Sequence, residues 1–348
     1  MRAAVMRSGR IVAADVADPV PGPGQVLVKT LACGICGSDL HALKHGEQMA
    51  RVSREIDAWA FVMDLSRDVV MGHEFCAEIL DFGPGCERKL KRGDRVCSMP
   101  MVPVGDRIAG VGYSNEFPGG YGERMLLGEP WLLRVPDALP AEAAALTEPL
   151  AVAEHAVAKA GLGNGEAPLV IGCGPVGLAV IAALKRRRIE PIVASDLSPT
   201  RRAQAAKLGA HVVVDPRSEL PMECFARAAG AKQAVLFECV GVPGMLAQLM
   251  KQAPRGGRII VVGVCLEEDR IQPLVPISKE LNLQFVLAYT SEEFTATLHA
   301  LAEGELDASA FVTGRVGVDG VAGAFEALGT PDRHVKILVE PWRSGGLT

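Results

Sequence analysis

Side chains that bind metals and transfer protons are concentrated in two short motifs of the N-terminal half. The first is Cys36-Gly37-Ser38-Asp39-Leu40-His41 and the second is Gly72-His73-Glu74. Zinc in proteins prefers thiolate, imidazole and carboxylate ligands, and a catalytic zinc keeps one coordination position open. A single cysteine or histidine is usually a packed core residue, but this combination predicts a metal site. Glu148 is a further candidate, because it lies where the sequence pattern changes and a cleft between two domains is expected.

A second functional motif lies downstream, in the run from Val170 to Gly177. Its glycines have the spacing G-x-G-x-x-G between an apolar strand and an apolar helix, and Asp196 ends the next predicted strand. In this context the glycines let a pyrophosphate approach the helix N-terminus, and the acid accepts hydrogen bonds from ribose hydroxyls. The alternative, that Asp196 only begins a helix ahead of Pro199, stays open. The predicted dinucleotide-binding residues of this motif are Gly172, Gly174, Pro175, Val176, Gly177 and Asp196.

The charges near Asp196 bear on the choice of dinucleotide. Its carboxylate would repel a 2′-phosphate, which favours NAD over NADP, whereas Arg201 and Arg202 could contact an adenosine phosphate. The remaining predicted cofactor contacts lie at the ends of later strands, where Gly263 and Val264 are expected to border the nicotinamide: Val240, Gly263 and Val264. A metal site and a dinucleotide site in one chain suggest redox chemistry on an alcohol or a carbonyl.

Length and composition limit the fold and the partners. With 348 residues the chain is too long for one ordinary core, so two domains are expected. The net charge of −5, with both signs spread along the chain, predicts no nucleic-acid surface. The longest apolar stretch, residues 168–184, is interrupted by glycines and predicts no membrane span. The nine scattered cysteines and an N-terminus without a signal-peptide pattern predict a cytoplasmic protein.

The sequence pattern predicts two domains. Residues 1–149 consist mainly of strand-like and turn-like segments, and residues 289–348 are expected to complete the same domain. Residues 150–288 alternate strands with helical stretches, which is typical of a doubly wound parallel sheet. The predicted fold class is therefore α/β, with one mostly-β domain and one dinucleotide-binding domain.

An amphipathic helix is predicted between the two metal-site motifs. Between His41 and Gly72 apolar residues recur at spacings of three and four. They are Met49, Val52, Ile56, Trp59 and Met63. The simpler interpretation is a helix packed on its own domain. The functional alternative is a cover beside the substrate entrance, because the segment joins the two motifs.

Together the motifs resemble the zinc-dependent alcohol dehydrogenase branch of the medium-chain dehydrogenase/reductase family. The resemblance covers essentially the whole chain and rests on CGICGSDLH, GHE, EPLAVAEHA and the glycine fingerprint. The EPL form is more similar to sorbitol and polyol dehydrogenases than to the ethanol enzymes, which carry a cysteine there. The resemblance implies a GroES-like catalytic domain, a Rossmann domain, and hydride transfer between NAD and an alcohol, either a secondary alcohol or a polyol.

The resemblance also implies which residues hold the metal. Cys36 and His73 would be zinc ligands, and either Glu148, directly or through water, or Glu74 would complete the set. Such a zinc makes the oxygen of a bound alcohol more acidic, and hydride leaves an alkoxide more easily than a neutral alcohol.

Three neighbours of the ligands would support catalysis if the resemblance holds. Asp39 would orient the imidazole of His73. Ser38 would hydrogen-bond the substrate oxygen, and His41 would stand at the solvent end of a proton relay. Acid–base assistance of this kind contributes roughly 10² to 10⁴-fold to a rate.

The chain departs from many of its relatives in one segment. They carry a structural zinc in a lobe with four closely spaced cysteines after the GDRV strand. Here the strand Gly93-Asp94-Arg95-Val96 is followed by Cys97, and residues 99–120 contain no cysteine. We therefore expect one catalytic zinc per chain and no structural zinc. Tyr113 and Phe117 in the replacement segment are expected to contribute to a subunit contact or to the shape of the substrate site.

Two other functions fit parts of the sequence. A zinc-independent enone or quinone reductase of the same fold would lack the cysteine and GHE motifs. A non-catalytic nucleotide-binding protein would have little reason to keep this set of residues together: Cys36, Ser38, His41, His73 and Glu148. The expected partners are a small alcohol or carbonyl substrate and a second copy of the chain. A homodimer or homotetramer is expected because the apolar segment 283–288 could pair across a two-fold axis.

Overall fold

The computed structural model of the chain describes residues 1–58, 61–330 and 332–348. The described strands are, in chain order, β1 Arg2–Arg7, β2 Arg10–Asp15, β3 Gln25–Gly34, β4 Glu74–Phe82, β5 Arg95–Ser98, β6 Met101–Val104, β7 Arg107–Gly110, β8 Arg124–Gly128, β9 Leu132–Arg134, β10 Glu166–Ile171, β11 Val193–Ser195, β12 Val212–Val214, β13 Gln233–Glu238, β14 Arg258–Val261, β15 Asn282–Phe285, β16 Val312–Val316 and β17 Lys336–Val339. The described α-helices are α1 Gly37–Glu55, α2 Ala141–Ala144, α3 Thr147–Ala160, α4 Pro175–Arg186, α5 Pro199–Leu208, α6 Pro221–Ala229, α7 Met245–Gln252, α8 Leu274–Lys279, α9 Ser291–Ala302 and α10 Val321–Leu328.

The chain forms two compact units. The first contains Met1–Glu148 and Phe294–Thr348, and the second contains Pro149–Glu293. Among the described residues no helix is both long enough and apolar enough to cross a membrane.

The second unit is built on a six-stranded parallel sheet. Its strand order is β12-β11-β10-β13-β14-β15. Strands buried on both faces are continuous apolar runs, as in residues 167–171 and 234–237, because helices cover both sides of the sheet. The strand order reverses between β10 and β13, and ligands bind at such a point in open α/β sheets. This arrangement confirms the predicted doubly wound sheet.

The first unit is mostly β-structure, as predicted. Its main sheet has the order β16-β17-β3-β4-β5-β9, and β8 also pairs with β3. β3 is long and largely buried, and it pairs antiparallel with β4 along most of its length. Two hairpins, β1–β2 and β6–β7, lie outside this sheet.

The helix predicted between His41 and Gly72 is present, but it begins and ends earlier than expected. α1 starts directly after Cys36 and ends at Glu55, because Asp57 has a φ of 51°, outside helical geometry. Of the five apolar residues behind the prediction, Met49 is buried on α1, Val52 and Ile56 are exposed, Met63 is buried outside the helix, and Trp59 lies outside the described residues. The extension of the helix to residue 63 was therefore wrong.

Candidate active site

The pairing of β3 with β4 brings the two metal-site motifs together. Gly34, the last residue of β3, lies opposite Glu74, the first residue of β4. Cys36 therefore follows β3 and His73 precedes β4 at the same end of this strand pair. The backbone N–H of Cys36 donates to Asp39 Oδ2 at 2.9 Å, which fixes the turn into α1.

Cys36, His73 and Glu74 form a cluster that fits a metal ion. One ligand atom from each side chain lies within 4.8 Å of the others. It is the one such group of three found in residues 1–58, 61–330 and 332–348. Sulfur, nitrogen and oxygen donors at this spacing match the preferences of zinc. The donor set therefore fits the metal that the sequence predicted.

The environment of His73 is strongly anionic. Burial by itself would lower the pKa of His73, but Asp39, Cys36 and Glu148 together raise that pKa well above its ordinary value. His73 Nδ1 is also the one buried side-chain nitrogen or oxygen of the described residues without a hydrogen-bond partner. Asp39 Oδ1 lies 3.6 Å from it, which is longer than a hydrogen bond. Positive charge is therefore favoured at this position, as at a cation site.

Glu74 is held by a lysine that sequence reasoning missed as a site residue. Lys336 Nζ donates to both carboxylate oxygens of Glu74 at 2.7 Å and to the carbonyl of Ile35 at 3.2 Å. Burial opposes the charge on Lys336, but Glu74 and Cys36 outweigh it and raise the pKa of Lys336. The sequence feature that could have identified Lys336 is its place in the otherwise apolar strand 336–339, because a buried lysine needs an acidic partner.

Glu148, Ser38 and His41 lie on helices, outside the group of three potential metal ligands. Glu148 is half-buried in the first turn of α3, and its charge raises the pKa of both His73 and Lys336. Ser38 and His41 lie on α1, and both are half-buried.

Asp39 also accepts hydrogen bonds from two tyrosines. This fully buried carboxylate accepts from Tyr113 Oη at 2.7 Å and from Tyr121 Oη at 2.6 Å. Burial, together with the charge of Asp39, raises the pKa of both phenols well above the ordinary range, so both keep their protons. Tyr113 and Phe117 are buried within the chain, 6% and 7% exposed, so of the two expected roles their position favours an effect on the shape of the site over a subunit contact.

The segment without cysteines folds as a hairpin and a return loop. β6 and β7 pair antiparallel from Met101 with Gly110 to Val104 with Arg107. The loop after β7 then runs against residues 70–72, where the N–H of Gly119 donates to the Val70 carbonyl at 2.8 Å and that of Tyr121 donates to the Met71 carbonyl at 3.0 Å. The loop therefore forms a wall next to His73.

The glycine fingerprint of the second unit has the geometry that a pyrophosphate needs. Gly172 has a φ of 92°, and a Cβ on Gly177 would come within 1.8 Å of the carbonyl oxygen of Gly172. α4 begins at Pro175 directly after Gly174, so its free N–H groups lie at the end of β10. The structure thus places Pro175 and Val176 in the first turn of this helix.

Asp196 follows β11 and is fixed by backbone donors. Its Oδ2 accepts from the N–H of Cys173 and its Oδ1 accepts from the N–H of Ser198, both at 2.7 Å. Arg201 Nη1 lies 3.9 Å from the Cβ position of Gly174, whereas Arg202 donates to the Asp196 carbonyl at 2.8 Å. Asp196 and Arg201 therefore lie at the fingerprint, and Arg202 supports the turn.

The three predicted contacts on later strands also come together. The carbonyl of Glu238 accepts from the N–H of Gly263, and its Oε1 accepts from the N–H of Val240, which holds the ends of β13 and β14 side by side. Val240 and Val264 are 36% and 46% exposed, which leaves apolar surface at this edge of the sheet.

Comparison with known proteins agrees with this geometry. Residues 22–137 match the alcohol dehydrogenase GroES-like domain, and residues 175–303 match the zinc-binding dehydrogenase family. The chain is 33% identical to (R,R)-butanediol dehydrogenase of Bacillus subtilis, covering 94% of this chain and 95% of that protein. It is 29% identical to sorbitol dehydrogenase of the same organism, covering 99% and 98%. A putative zinc-binding dehydrogenase from Sinorhizobium meliloti, solved bound to NADP, superposes with a TM-score of 0.81 at 26% identity, covering 98% of this chain and 99% of that one.

The chain belongs to the zinc-dependent alcohol dehydrogenase branch of the medium-chain dehydrogenase/reductase family. It is an oxidoreductase that combines a GroES-like domain with a Rossmann domain, and the family binds zinc and a nicotinamide cofactor.

Proposed function

We propose that this enzyme transfers hydride between NAD and a secondary alcohol that carries a neighbouring hydroxyl, as in a vicinal diol or a sugar polyol. The cluster of Cys36, His73 and Glu74 carries the proposal. Similarity to the butanediol and sorbitol dehydrogenases supports the substrate class. The zinc domain is proposed to comprise residues 1–149 and 289–348, and the NAD-binding domain residues 150–288.

Cys36, His73 and Glu74 are the proposed ligands, with Glu148 nearby as a second acid. When bound, zinc would withdraw electron density from the substrate oxygen, as it lowers the pKa of bound water to about 7. The geometry favours Glu74 over Glu148 as the direct ligand, because an oxygen of Glu74 lies within 4.8 Å of the other two donors. Lys336 holds that carboxylate in place. Glu74→Gln should then reduce bound zinc more than Glu148→Gln, as measured by metal analysis.

Ser38 and His41 are the proposed proton-transfer residues. Ser38 lies two residues after Cys36 at the N-terminus of α1, so its oxygen can accept a hydrogen bond from the alcohol. When Ser38 takes the proton of the alcohol, it releases its own proton toward His41. His41 lies one helical turn further on and is half-buried, which suits a group that passes the proton to solvent. Asp39 is proposed to act on His73 through its charge, since the two groups are 3.6 Å apart.

NAD is the proposed cofactor rather than NADP. A carboxylate has about four acceptor positions, and Asp196 uses two of them on backbone N–H groups, so others are free for ribose hydroxyls. Arg201 beside the fingerprint is proposed to contact a phosphate. The other proposed contacts are Gly172, Gly174, Pro175, Val176, Gly177, Val240, Gly263 and Val264.

The second unit is proposed to associate with a second copy of itself. β15 is the last strand of its sheet and pairs with β14 on one side only among the described strands. Large apolar side chains near this edge are 64–75% exposed; they are Leu274, Ile277, Phe285 and Leu287. An exposed apolar edge strand is a template for pairing with another chain, and two-fold pairing closes the assembly. A homodimer, or a homotetramer of two dimers, follows.

A reducing compartment such as the cytoplasm is proposed for the protein. All nine cysteines are unpaired thiols, and several of them are buried in apolar surroundings.

The test is NADH formation by purified protein with a panel of secondary alcohols, vicinal diols and polyols. Cys36→Ser should lose both bound zinc and turnover, whereas Cys86→Ser, a half-buried cysteine outside the cluster, should keep both. A zinc-independent enone reductase would keep its turnover in the Cys36→Ser variant. That result, or zinc retained by this variant, would contradict the proposal. Two zinc ions per chain would contradict the expected single site.

A further inference from the structure

Ser38, Tyr113 and Asp39 form a chain of hydrogen-bonding groups beside the metal cluster. Tyr113 Oη lies 2.9 Å from Ser38 Oγ and 2.7 Å from Asp39 Oδ1.

The count of protons sets the direction of these hydrogen bonds. A phenol has one proton to donate, and an ionised carboxylate only accepts. Asp39 already accepts from Tyr121 and from the N–H of Cys36 on its other oxygen. Tyr113 therefore donates its one hydrogen bond to Asp39, and its oxygen accepts a hydrogen bond from the Ser38 hydroxyl. The oxygen of Ser38 is left with its lone pairs free.

We infer that Tyr113 is a positioning residue that holds the Ser38 hydroxyl so that its oxygen accepts a hydrogen bond from the hydroxyl of the alcohol substrate. The inference rests on the proposed function, in which Ser38 contacts the substrate oxygen. Without Tyr113 the Ser38 hydroxyl can rotate so that its proton points toward the substrate oxygen. It then competes with the alcohol proton for the single position between the two oxygens. Tyr113 thus prepares the first hydrogen bond of the relay before substrate binds.

The surroundings of Tyr113 hold its ring still. Its ring centroid lies 4.9 Å from that of Phe61 and 5.2 Å from that of His73. The same loop is tied down by Asn115, whose side chain accepts from the Asp64 N–H at 2.8 Å and donates to the Asp64 carbonyl at 3.0 Å. A fixed ring keeps the phenol oxygen at a defined distance from Ser38, as positioning requires.

The test is a double-mutant cycle with a matched control. Tyr113→Phe removes the hydroxyl that contacts Ser38, and Tyr121→Phe removes a hydroxyl that contacts Asp39 but not Ser38. Each is made in the wild-type and in the Ser38→Ala background, and kcat and KM for alcohol oxidation, bound zinc and the thermal unfolding midpoint are measured. Tyr113→Phe should lower kcat/KM about 10-fold in the wild type, the loss of one good hydrogen bond. It should change kcat/KM by less than about 2-fold in Ser38→Ala, because the partner is already gone.

The control separates positioning from packing. Tyr121→Phe should lower kcat/KM by the same factor in both backgrounds. If Tyr113→Phe also lowers kcat/KM equally in both, it acts through Asp39 or packing and the inference is wrong. If that variant does not fold, 3,5-difluorotyrosine at position 113 keeps the hydroxyl and weakens it as an acceptor. With this residue kcat/KM should fall in protein that carries Ser38 and should stay unchanged in the Ser38→Ala background. Wild-type protein that oxidises no alcohol would instead overturn the proposed function and the role of Ser38.

Discussion

The buried ion pair between Lys336 and Glu74 makes a sharp prediction about stability. Lys336 is 2% exposed and Glu74 is fully buried, and Lys336 Nζ contacts both oxygens at 2.7 Å. Lys336→Met fills a similar volume but leaves the Glu74 carboxylate buried without its cation. Removing one partner of a buried pair costs about 3–5 kcal/mol of the free energy of unfolding. With a urea slope near 3 kcal/mol per M, the midpoint should fall by about 1 to 1.7 M.

Urea unfolding of chelator-treated protein is the assay, so that metal binding does not add to the measured stability. A second variant, Lys336→Met with Glu74→Gln, should recover most of the loss because no unpaired charge remains. The control is Arg7→Met, which breaks a pair with Asp68 that also has two contacts, of 2.6 and 2.7 Å, but lies at the surface. Its midpoint should stay close to that of the wild type. Equal shifts for Lys336→Met and Arg7→Met, or no recovery in the double variant, would refute the reasoning.

Three further predictions concern the second unit. Asp196→Ala should raise KM for NAD about 10 to 100-fold, because charge-assisted hydrogen bonds to the ribose are lost. The preference of the enzyme for NAD over NADP should become smaller. Unchanged kinetics with both cofactors would contradict the assignment. Phe285→Asp should shift the assembly toward monomer in size-exclusion chromatography with light scattering, since it charges a side chain that is 64% exposed at the sheet edge; an unchanged mass would contradict the edge pairing. Burial raises the pKa of Cys173 to about 12, from 9.0 in the unfolded chain. The contribution of this thiol to stability is therefore complete below pH 9 and is lost as the pH rises toward 12, by up to about 1.4 kcal/mol per pH unit. The decline of the unfolding free energy with pH, measured by urea unfolding, should be shallower in Cys173→Ala.

The parts of the fold that were predicted correctly depend on neighbouring residues. The strands of the parallel sheet are continuous apolar runs, such as 234–237, which can be recognised without knowing their partners. The proximity of Cys36, His73 and Glu74 could be expected because all three lie in short motifs at the ends of two paired strands.

The residues that were missed depend on long-range packing. Lys336 is 262 residues from Glu74 in sequence, and only the pairing of β17 with β3 brings them together. Tyr113 and Tyr121 reach Asp39 through the path of a loop, and loop paths are not encoded in a periodic pattern. The end of α1 was also missed, because it depends on the local backbone of Ile56 and Asp57, which leaves helical geometry.

The β6–β7 hairpin and the loop that follows it differ in how much change they tolerate. At the hairpin tip Gly105, Asp106 and Arg107 are exposed, so extra chain added there extends into solvent. In the loop after β7, nine residues beyond Gly110, the backbone is crowded: a Cβ on Gly119 would come within 2.3 Å of the Gly72 carbonyl oxygen, beside His73. A protein engineer who wants to graft a reporter tag or a new metal-binding lobe onto this enzyme should therefore splice it between Gly105 and Asp106 and leave residues 112–121 untouched.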